Sequence, residues 1–337
     1  MIPNQSLMFD QDGRERKEDD LIAFTWDRYL KTGDERWPAR LPMTKAAVRA
    51  MDAVTAFLAT PAGGAAPIEN FVVSGGSKRG WTAWMTAAVD RRVVALCPLV
   101  IDILNVEVSM THHYRAYGFF APAVGDYTAH HIMDWSGTPE ARALYAIEDP
   151  FSYRDRLTMP KLLINASGDQ FFLPDSSQFY FDELPGVKYL RYVPNADHSL
   201  KNSDATKTLA AWHHAILNRT ALPQFSWQHA AGGSLTVTSQ TPPRAALLWQ
   251  ATNPLARDFR LETLGPVWTS SPVEGRDGVF TATVPPPADG WTAYLMELTF
   301  ELGAPAPLKL TTNVAVSPHT LPFAPPSPPR PNGFLSK

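Results

Sequence analysis

Ser77 is the residue whose neighbours most clearly suggest chemistry. It lies in the glycine-rich segment 74–80, directly after the apolar run 71–73. Small residues there permit a tight turn between a strand and a helix, which exposes the serine hydroxyl as a nucleophile. The N–H of Lys78 would then lie at a helix N-terminus and could stabilise an oxyanion. Arg79 occupies the last glycine position of the usual Gly-x-Ser-x-Gly pattern, so a turn without chemistry is the alternative.

Two later residues have the positions expected of an acid and a base. Asp169 follows the apolar run 161–166, and His198 follows the run 189–193. Carboxyl ends of parallel strands meet at one edge of a sheet. The order serine, acid, histidine is that of α/β-hydrolases. We predict that His198 is the general base for Ser77 and that Asp169 orients its imidazole. The alternative is a helix N-cap and a surface histidine.

Two other carboxylates are weaker alternatives for the acid. Asp102 closes the apolar run that follows the elbow, and Asp197 adjoins the histidine. Asp197 would point away from the site if His198 points inward. Neither residue lies in the Gly-Asp context of Asp169, so we assign the acid to Asp169.

Adjacent histidines occur twice between residues 105 and 155. They are His112, His113, His130 and His131. Asp126 and Asp134 lie four residues before and after His130, which would make at most a weak metal site. The spacing does not match His-Glu-x-x-His on one helix face. We interpret these histidines as packed or solvated, and we predict neither a metal nor a cofactor.

The order of apolar runs predicts the elements that position these side chains. Short strands alternate with helices, which is typical of a parallel sheet covered on both faces. The strand-type runs are 71–73, 93–103, 161–166 and 189–193, and the helical stretches are 20–30, 44–58, 81–90, 175–184 and 203–217. Residues 105–155 interrupt the alternation and are predicted to form a helical insert over the site.

The composition changes after about residue 222. Short alternating β-type runs follow, with proline and glycine at spacings of roughly ten residues, which predicts an antiparallel β-sandwich. Residues 259–264 form one of these runs. We divide the chain into an α/β-hydrolase-like domain at 1–221, a sandwich at 222–318 and a proline-rich tail at 319–337, predicted to be disordered.

Composition excludes several classes of function. The net charge of −3 and the absence of basic runs argue against a nucleic acid partner. A single cysteine, Cys97, excludes an intrachain disulfide framework. No stretch of about 18 residues is apolar throughout, so no transmembrane segment is predicted. The first residues lack the basic and apolar regions of a signal peptide.

Several segments together resemble the PhoPQ-activated pathogenicity-related protein family. They are residues 3–5, 18–20, 42–46, 74–81, 251–254, 256–260 and 290–293. The resemblance implies an α/β-hydrolase with an added C-terminal β domain, and a full-length form that is periplasmic or secreted. It carries over Ser77, Asp169 and His198 as the triad. It does not name a substrate.

The region before the elbow departs from a complete α/β-hydrolase. Such a fold has about four strands before its nucleophile, whereas residues 1–66 show mostly helix and loop. We therefore expect the chain to lack its first strands and to form a sheet of about four. One flank of the elbow strand would be unpaired or covered only by N-terminal helix. Lys78 would be the one available oxyanion donor, and the chain alone would be at best weakly active.

These observations favour a serine hydrolase that cleaves an ester or amide through an acyl-enzyme. The substrate would be a small-molecule or carbohydrate-linked ester or amide. The alternative is a non-catalytic protein, either secreted and signalling or glycan-binding, that keeps the hydrolase fold.

Overall fold

The computed structural model describes residues 7–9 and 13–336. The segment 3–5 that contributes to the resemblance lies outside the described residues. Strands β1 (Leu7–Phe9) and β2 (Arg14–Arg16) form a small antiparallel sheet of their own. Helices α1 (Glu18–Thr32) and α2 (Arg40–Leu58) follow.

The next elements are the elbow and the predicted helical insert. They are β3 (Phe71–Gly76), α3 (Lys78–Val89), β4 (Val93–Leu99), α4 (Val106–Tyr117), α5 (Gly125–Ala129) and α6 (Pro139–Glu148). Short 3₁₀ turns connect the last three helices. Residues 105–155 therefore form the helical segment that the sequence predicts.

The acid and the base follow the next two strands. The elements are β5 (Lys161–Ala166), β6 (Lys188–Val193) and α7 (Ala205–Leu217). The helix expected over 175–184 is reduced to a 3₁₀ turn at Ser176–Phe179. The reason is local: the Ser176 hydroxyl donates to the Leu173 carbonyl, and the Gln178 amide donates to the Asp175 carbonyl. Such bonds compete with helical ones.

The C-terminal part is antiparallel. Its elements are β7 (Phe225–Ala230), β8 (Ser234–Ser239), β9 (Ala245–Asn253), α8 (Leu261–Leu264), β10 (Thr269–Pro272), β11 (Gly275–Arg276), β12 (Val279–Thr283), β13 (Trp291–Phe300), β14 (Leu308–Thr311) and β15 (Ala315–Ser317). The strand expected over 259–264 is wrong. The Leu261 N–H donates instead to the Gly168 carbonyl, and one short helical turn follows.

The central sheet has a parallel half and an antiparallel half. Strands β3, β4, β5 and β6 are parallel neighbours in that order. Next to β6 lies β14, which pairs antiparallel through Thr311 and Leu190, and then come β13, β9 and β10. With β15 beside β13 the sheet has nine strands. The expectation of about four strands holds for the parallel half and is wrong for the whole sheet.

Strand β3 is an edge strand in the described part of the chain. Its one sheet neighbour there is β4, and its apolar residues Phe71, Val72 and Val73 are only half-buried. Residues 7–9 and 13–66 contribute no strand to this sheet. Helix α2 packs against α3 near this edge.

Alternate side chains of the buried strands enter two separate cores. Leu163 of β5 belongs to a cluster with Trp26 of α1 and Trp84 of α3. Its neighbours Leu162 and Ile164 point to the other face, where Trp212 of α7 is fully buried. Successive side chains of a strand point to opposite faces, so the burial of both sets means that the sheet is covered on both sides. The predicted fold class, α/β with a parallel sheet region flanked by helices, is confirmed, and the parallel strands are β3, β4, β5 and β6.

The second antiparallel sheet has four strands in the order β11, β12, β8 and β7. Leu235 and Val237 of β8 are fully buried and share a core with Met296 and Leu298 of β13. The region predicted as a sandwich therefore supplies this sheet and five strands of the central one. The proposed boundary near residue 222 stays a prediction, and the central sheet runs across it.

The proline-rich tail has no helix or strand up to residue 336. Its end nevertheless packs on α1 and α6. The Phe334 ring lies 5.4 Å from that of Tyr29, and the Leu335 N–H donates to Glu140 Oε1 at 2.9 Å. The composition of this segment predicts disorder. Its last residues are nevertheless anchored, because they include an aromatic ring that packs on the helical core.

Candidate active site

The turn at Ser77 has the geometry of a nucleophile elbow. Ser77 is the N-cap of α3 with φ 55° and ψ −128°, a strained conformation for a residue with a side chain. Its N–H donates to the Leu99 carbonyl at 2.8 Å. A Cβ at Gly75 would lie 2.5 Å from the Arg79 carbonyl oxygen, and one at Gly80 2.8 Å from that of Gly75. Both glycines are therefore required sterically, although the segment departs from the usual pattern.

Asp169 and His198 form a hydrogen-bonded pair. His198 Nδ1 donates to the Asp169 carboxylate, 2.8 Å from Oδ2 and 3.0 Å from Oδ1. Asp169 is buried, and Oδ1 also accepts the Phe171 N–H at 2.8 Å. Burial raises the pKa of Asp169, while its bonds to His198 and to backbone N–H groups act in the opposite direction. With Nδ1 bonded to the acid, Nε2 is the nitrogen left to accept a proton.

Ser77 and His198 face a common pair of aromatic rings. Phe171 and Phe172 line a narrow cavity beside Ser77, and their rings lie 4.3 Å and 5.9 Å from the imidazole. Among the described residues no hydrogen bond joins Ser77 to His198. Catalytic hydrogen bonds commonly tighten only when substrate binds, so the arrangement is compatible with a triad.

The cavity beside Ser77 is small and mostly apolar. It has a volume of about 50 Å³ and lies between α1, α3, the insert and the loop after β5. Trp26, Trp81, Met110 and Tyr127 are among the side chains that line it. Such walls leave space for a short apolar group.

An acidic start to α1 holds the elbow helix. Lys78 Nζ lies 2.6 Å from Glu18 and 3.0 Å from Asp19, and Arg79 lies 2.8 Å from Glu18. Burial alone would raise the pKa of Glu18, but its bonds to Lys78 and Arg79 lower it overall. The Tyr127 hydroxyl donates to Asp19 at 3.2 Å. We did not predict these ion pairs from the sequence. The signal that could have indicated them is the run of acidic residues in the first turn of a helix.

A buried ion pair lies behind the cavity. Arg40 Nη1 is 2.8 Å from Glu148 Oε2, and both side chains are almost fully buried. The Trp26 indole donates to the same carboxylate at 2.9 Å, and the Arg40 guanidinium lies 3.7 Å from the Trp81 ring centroid. This pair joins α1, α2, α3 and α6. Sequence spacing does not reveal it, because its members are far apart in the chain.

The two alternative carboxylates are engaged elsewhere. Asp102 is buried and accepts hydrogen bonds from the hydroxyls of Tyr180 and Tyr192, the second at 2.5 Å. Burial raises the pKa of Asp102 to about 7. Asp197 accepts the N–H and hydroxyl of Ser199. This geometry favours Asp169 as the partner of His198.

Residues 257–268 brace the loops that carry Asp169 and His198. Leu261 N donates to the Gly168 carbonyl at 2.9 Å, and a Cβ at Gly168 would lie 2.8 Å from the Leu261 Cβ. Asn195, three residues before the histidine, donates to the Trp268 carbonyl at 2.8 Å and accepts the Trp268 N–H at 2.9 Å. The antiparallel part therefore contacts both loops.

The four histidines of the insert are separated in space. His112 Nε2 is 3.0 Å from Asp175, and His130 Nε2 is 3.1 Å from Asp20. His113 Nε2 accepts the Ala121 N–H, and burial lowers the pKa of His113 to about 3. The exposed His131 pairs with Asp134. Within residues 7–9 and 13–336 no three metal-type ligands cluster.

No helix in the described ranges is both long enough and apolar enough to cross a membrane.

Comparison with solved structures finds low similarity. An acetyl xylan esterase from Paenibacillus sp. R4 has a TM-score of 0.38 at 16% identity, over 52% of this chain and 50% of the esterase. Acylaminoacyl peptidase from Pyrococcus horikoshii has a TM-score of 0.35 at 17% identity, over 46% of this chain and 24% of the peptidase. The chain thus spans half or less of these two proteins, and scores this low carry no argument about activity.

Comparison of sequences gives a firmer result. The family described as PhoPQ-activated pathogenicity-related protein matches residues 1–260. Autocrine proliferation repressor protein A of Dictyostelium discoideum is 39% identical over 351 residues, which cover 96% of this chain and 70% of that protein. The chain therefore belongs to the PhoPQ-activated pathogenicity-related protein family.

Proposed function

We propose that the chain is a serine hydrolase in which Ser77, His198 and Asp169 form the catalytic triad. The observation that carries the proposal is the hydrogen bond between buried Asp169 and half-buried His198, on loops that follow two parallel strands next to the strained turn of Ser77. Membership of a family placed among α/β-hydrolases supports it.

The proposed reaction proceeds through an acyl-enzyme. The Ser77 oxygen attacks the carbonyl carbon of an ester or amide while His198 Nε2 takes the hydroxyl proton. The Lys78 N–H, at the start of α3, stabilises the oxyanion of the tetrahedral intermediate. His198 then gives the proton to the leaving alcohol or amine as its bond to carbon breaks. Water, activated by His198, attacks the acyl-enzyme and releases the carboxylic acid and free Ser77.

The cavity suggests that the acyl group is short. A volume of about 50 Å³ holds roughly three to five water-sized groups, which corresponds to a few carbon atoms. Ester substrates with acetyl or propionyl groups should therefore react faster than esters with long chains. The leaving group, whether a small molecule or a carbohydrate, lies outside this cavity.

Replacement of the nucleophile tests the proposal. Ser77→Ala should abolish hydrolysis of p-nitrophenyl acetate and leave the melting temperature close to that of the wild type. Ser199→Ala, which changes an exposed serine beside His198, should retain activity. Wild-type rates in Ser77→Ala would overturn the triad. Esters with eight or more carbons reacting faster than acetate would overturn the short acyl group.

A second candidate function is signalling without catalysis. It is supported by the name of the relative that is 39% identical, an autocrine proliferation repressor, although that name describes only that protein. In this case Ser77→Ala would keep the biological activity of the chain, and no ester would be cleaved by the wild type.

Family membership also supports the proposal that the protein acts in the cell envelope or outside the cell. Fractionation of the native host, with antibody detection of the chain in cytoplasm, envelope and medium, tests this. Detection in the cytoplasm alone would contradict it.

A further inference from the structure

The described chain has a second cavity, which does not contain Ser77. It has a volume of about 560 Å³ and shares no lining residue with the Ser77 cavity. Helix α4 separates the two. Val106 and Met110, one turn apart, line the Ser77 cavity, whereas His112 and Arg115 line the larger one. The other walls come from the loop after β5, from β7 and from residues around β15.

The permanent charges that line this cavity cancel. Asp175 is 2.6 Å from Arg257 and 3.0 Å from His112, and all three side chains are buried. Glu107 and Arg115 add one charge of each sign from α4. Two carboxylates thus face two guanidinium groups. A cavity without net charge suits a neutral ligand better than an anion or a cation, because an ion would lose its hydration without gaining a net counter-charge.

Its polar groups nevertheless include both an acceptor and a donor without a partner. The Trp227 indole, which only donates, lies 2.6 Å from Asn313 Oδ1, and His229 Nε2 lies 2.9 Å from the same oxygen. His229 must therefore donate through Nε2, so Nδ1 of the neutral ring is an acceptor. In the part of the chain described, buried His229 Nδ1 and buried Arg257 Nε have no hydrogen-bond partner.

We propose that this cavity binds a neutral, hydroxyl-rich small molecule, namely a monosaccharide or disaccharide. His229 and Arg257 line the cavity, and their buried Nδ1 and Nε atoms have no partner. A small shift of these side chains lets one sugar hydroxyl donate to Nδ1 and another accept from Nε. Phe179, Val314 and Val316 provide apolar surface for the C–H face of a sugar ring. The volume lies within the range of small-molecule sites. The site is separate from the proposed triad and does not depend on it.

Binding can be measured with the full chain by saturation-transfer NMR, and affinity by calorimetry. The probes are glucose, galactose, cellobiose and lactose, with glucuronate and galacturonate as charged counterparts of matched shape. We expect at least one neutral sugar to bind and its uronate to bind more weakly. Binding of none of the neutral sugars, or stronger binding of the uronates, would overturn the proposal.

His229→Gln is the most specific variant. Glutamine can keep a donor toward Asn313 but has no acceptor at the position of Nδ1, so affinity should fall about 3- to 10-fold, as for one lost hydrogen bond. Val108→Trp, at an exposed position on the cavity wall, should block binding without disturbing the core. Ser77→Ala should bind the sugar normally. Unchanged affinity in both cavity variants, or loss of binding in Ser77→Ala, would contradict a separate sugar site.

Discussion

The two halves of the proposed triad are held in different ways. Asp169 and His198 follow β5 and β6, which are interior strands with neighbours on both sides, and residues 257–268 brace their loops. Ser77 follows β3, whose one described neighbour is β4 and whose residues are half-buried. The acid and the base are thus preorganised by packing from much of the chain. The nucleophile depends on a strained turn and on partly exposed ion pairs from α1.

The largest expected effect comes from the acid. Asp169→Asn should lower kcat/KM for p-nitrophenyl acetate roughly 10³- to 10⁴-fold, because an amide cannot stabilise the imidazolium or fix the tautomer. Asp102→Asn is the matched control, since that carboxylate binds two tyrosines. It should reduce activity by less than tenfold. A larger loss of activity in Asp102→Asn than in Asp169→Asn would show that Asp169 is not the catalytic acid.

An intermediate effect should follow from loosening the brace on the histidine loop. Asn195 has a φ of 54°, so Asn195→Gly removes both bonds to Trp268 without adding backbone strain. We expect kcat/KM to fall roughly 10- to 100-fold, as for a catalytic group displaced by a fraction of an ångström to 1 Å.

Glu18→Gln provides the comparison on the nucleophile side. It weakens partly exposed ion pairs to Lys78 and Arg79, which contribute little individually. Activity should fall less than tenfold relative to the wild type. The difference between variant and wild type should be smaller at high salt, because salt screens the ion pairs of the wild type. If this variant loses more activity than Asn195→Gly, the two halves are ranked in the wrong order.

The smallest effect on activity, but a clear one on stability, concerns Asp102. Its pKa is about 7 in the folded protein against an ordinary value of 3.8, so the folded state holds an extra proton between those pH values. This group's contribution to stability is therefore present at low pH and decreases as pH rises through 7. Urea unfolding at pH 5 and pH 8 should show a decrease in the wild type of roughly 1–3 kcal/mol from this group. Asp102→Asn should lack that decrease, and an equal decrease in both proteins would contradict the assignment.

The sequence predicts the parallel half of the fold well, because buried parallel strands such as β5 are short, largely apolar runs followed by turn residues. The turn at Ser77 could also be predicted from the sequence, since its glycines are required by close backbone contacts. The extension of the sheet beyond β6 could not be predicted, because β14 pairs with β6 only through Thr311 and Leu190. Nothing local in either strand marks that partner.

The site shows the same division between local and distant signals. Asp169 and His198 could be predicted as acid and base because each follows a strand. The polar groups around the site pair across long separations, such as Asn195 with Trp268 beside the histidine loop and Arg40 with Glu148 behind the Ser77 cavity. Their types alone do not indicate which partner each one meets.

Labelling with a fluorophosphonate tests the central claim most directly. The Ser77 oxygen should displace fluoride from the probe and form a bond to phosphorus, which adds the mass of the phosphonyl group. The wild type should yield one labelled peptide, the one that contains Ser77, and Asp169→Asn should label much more slowly. No adduct on folded protein, or an adduct on another serine, would contradict the proposed triad.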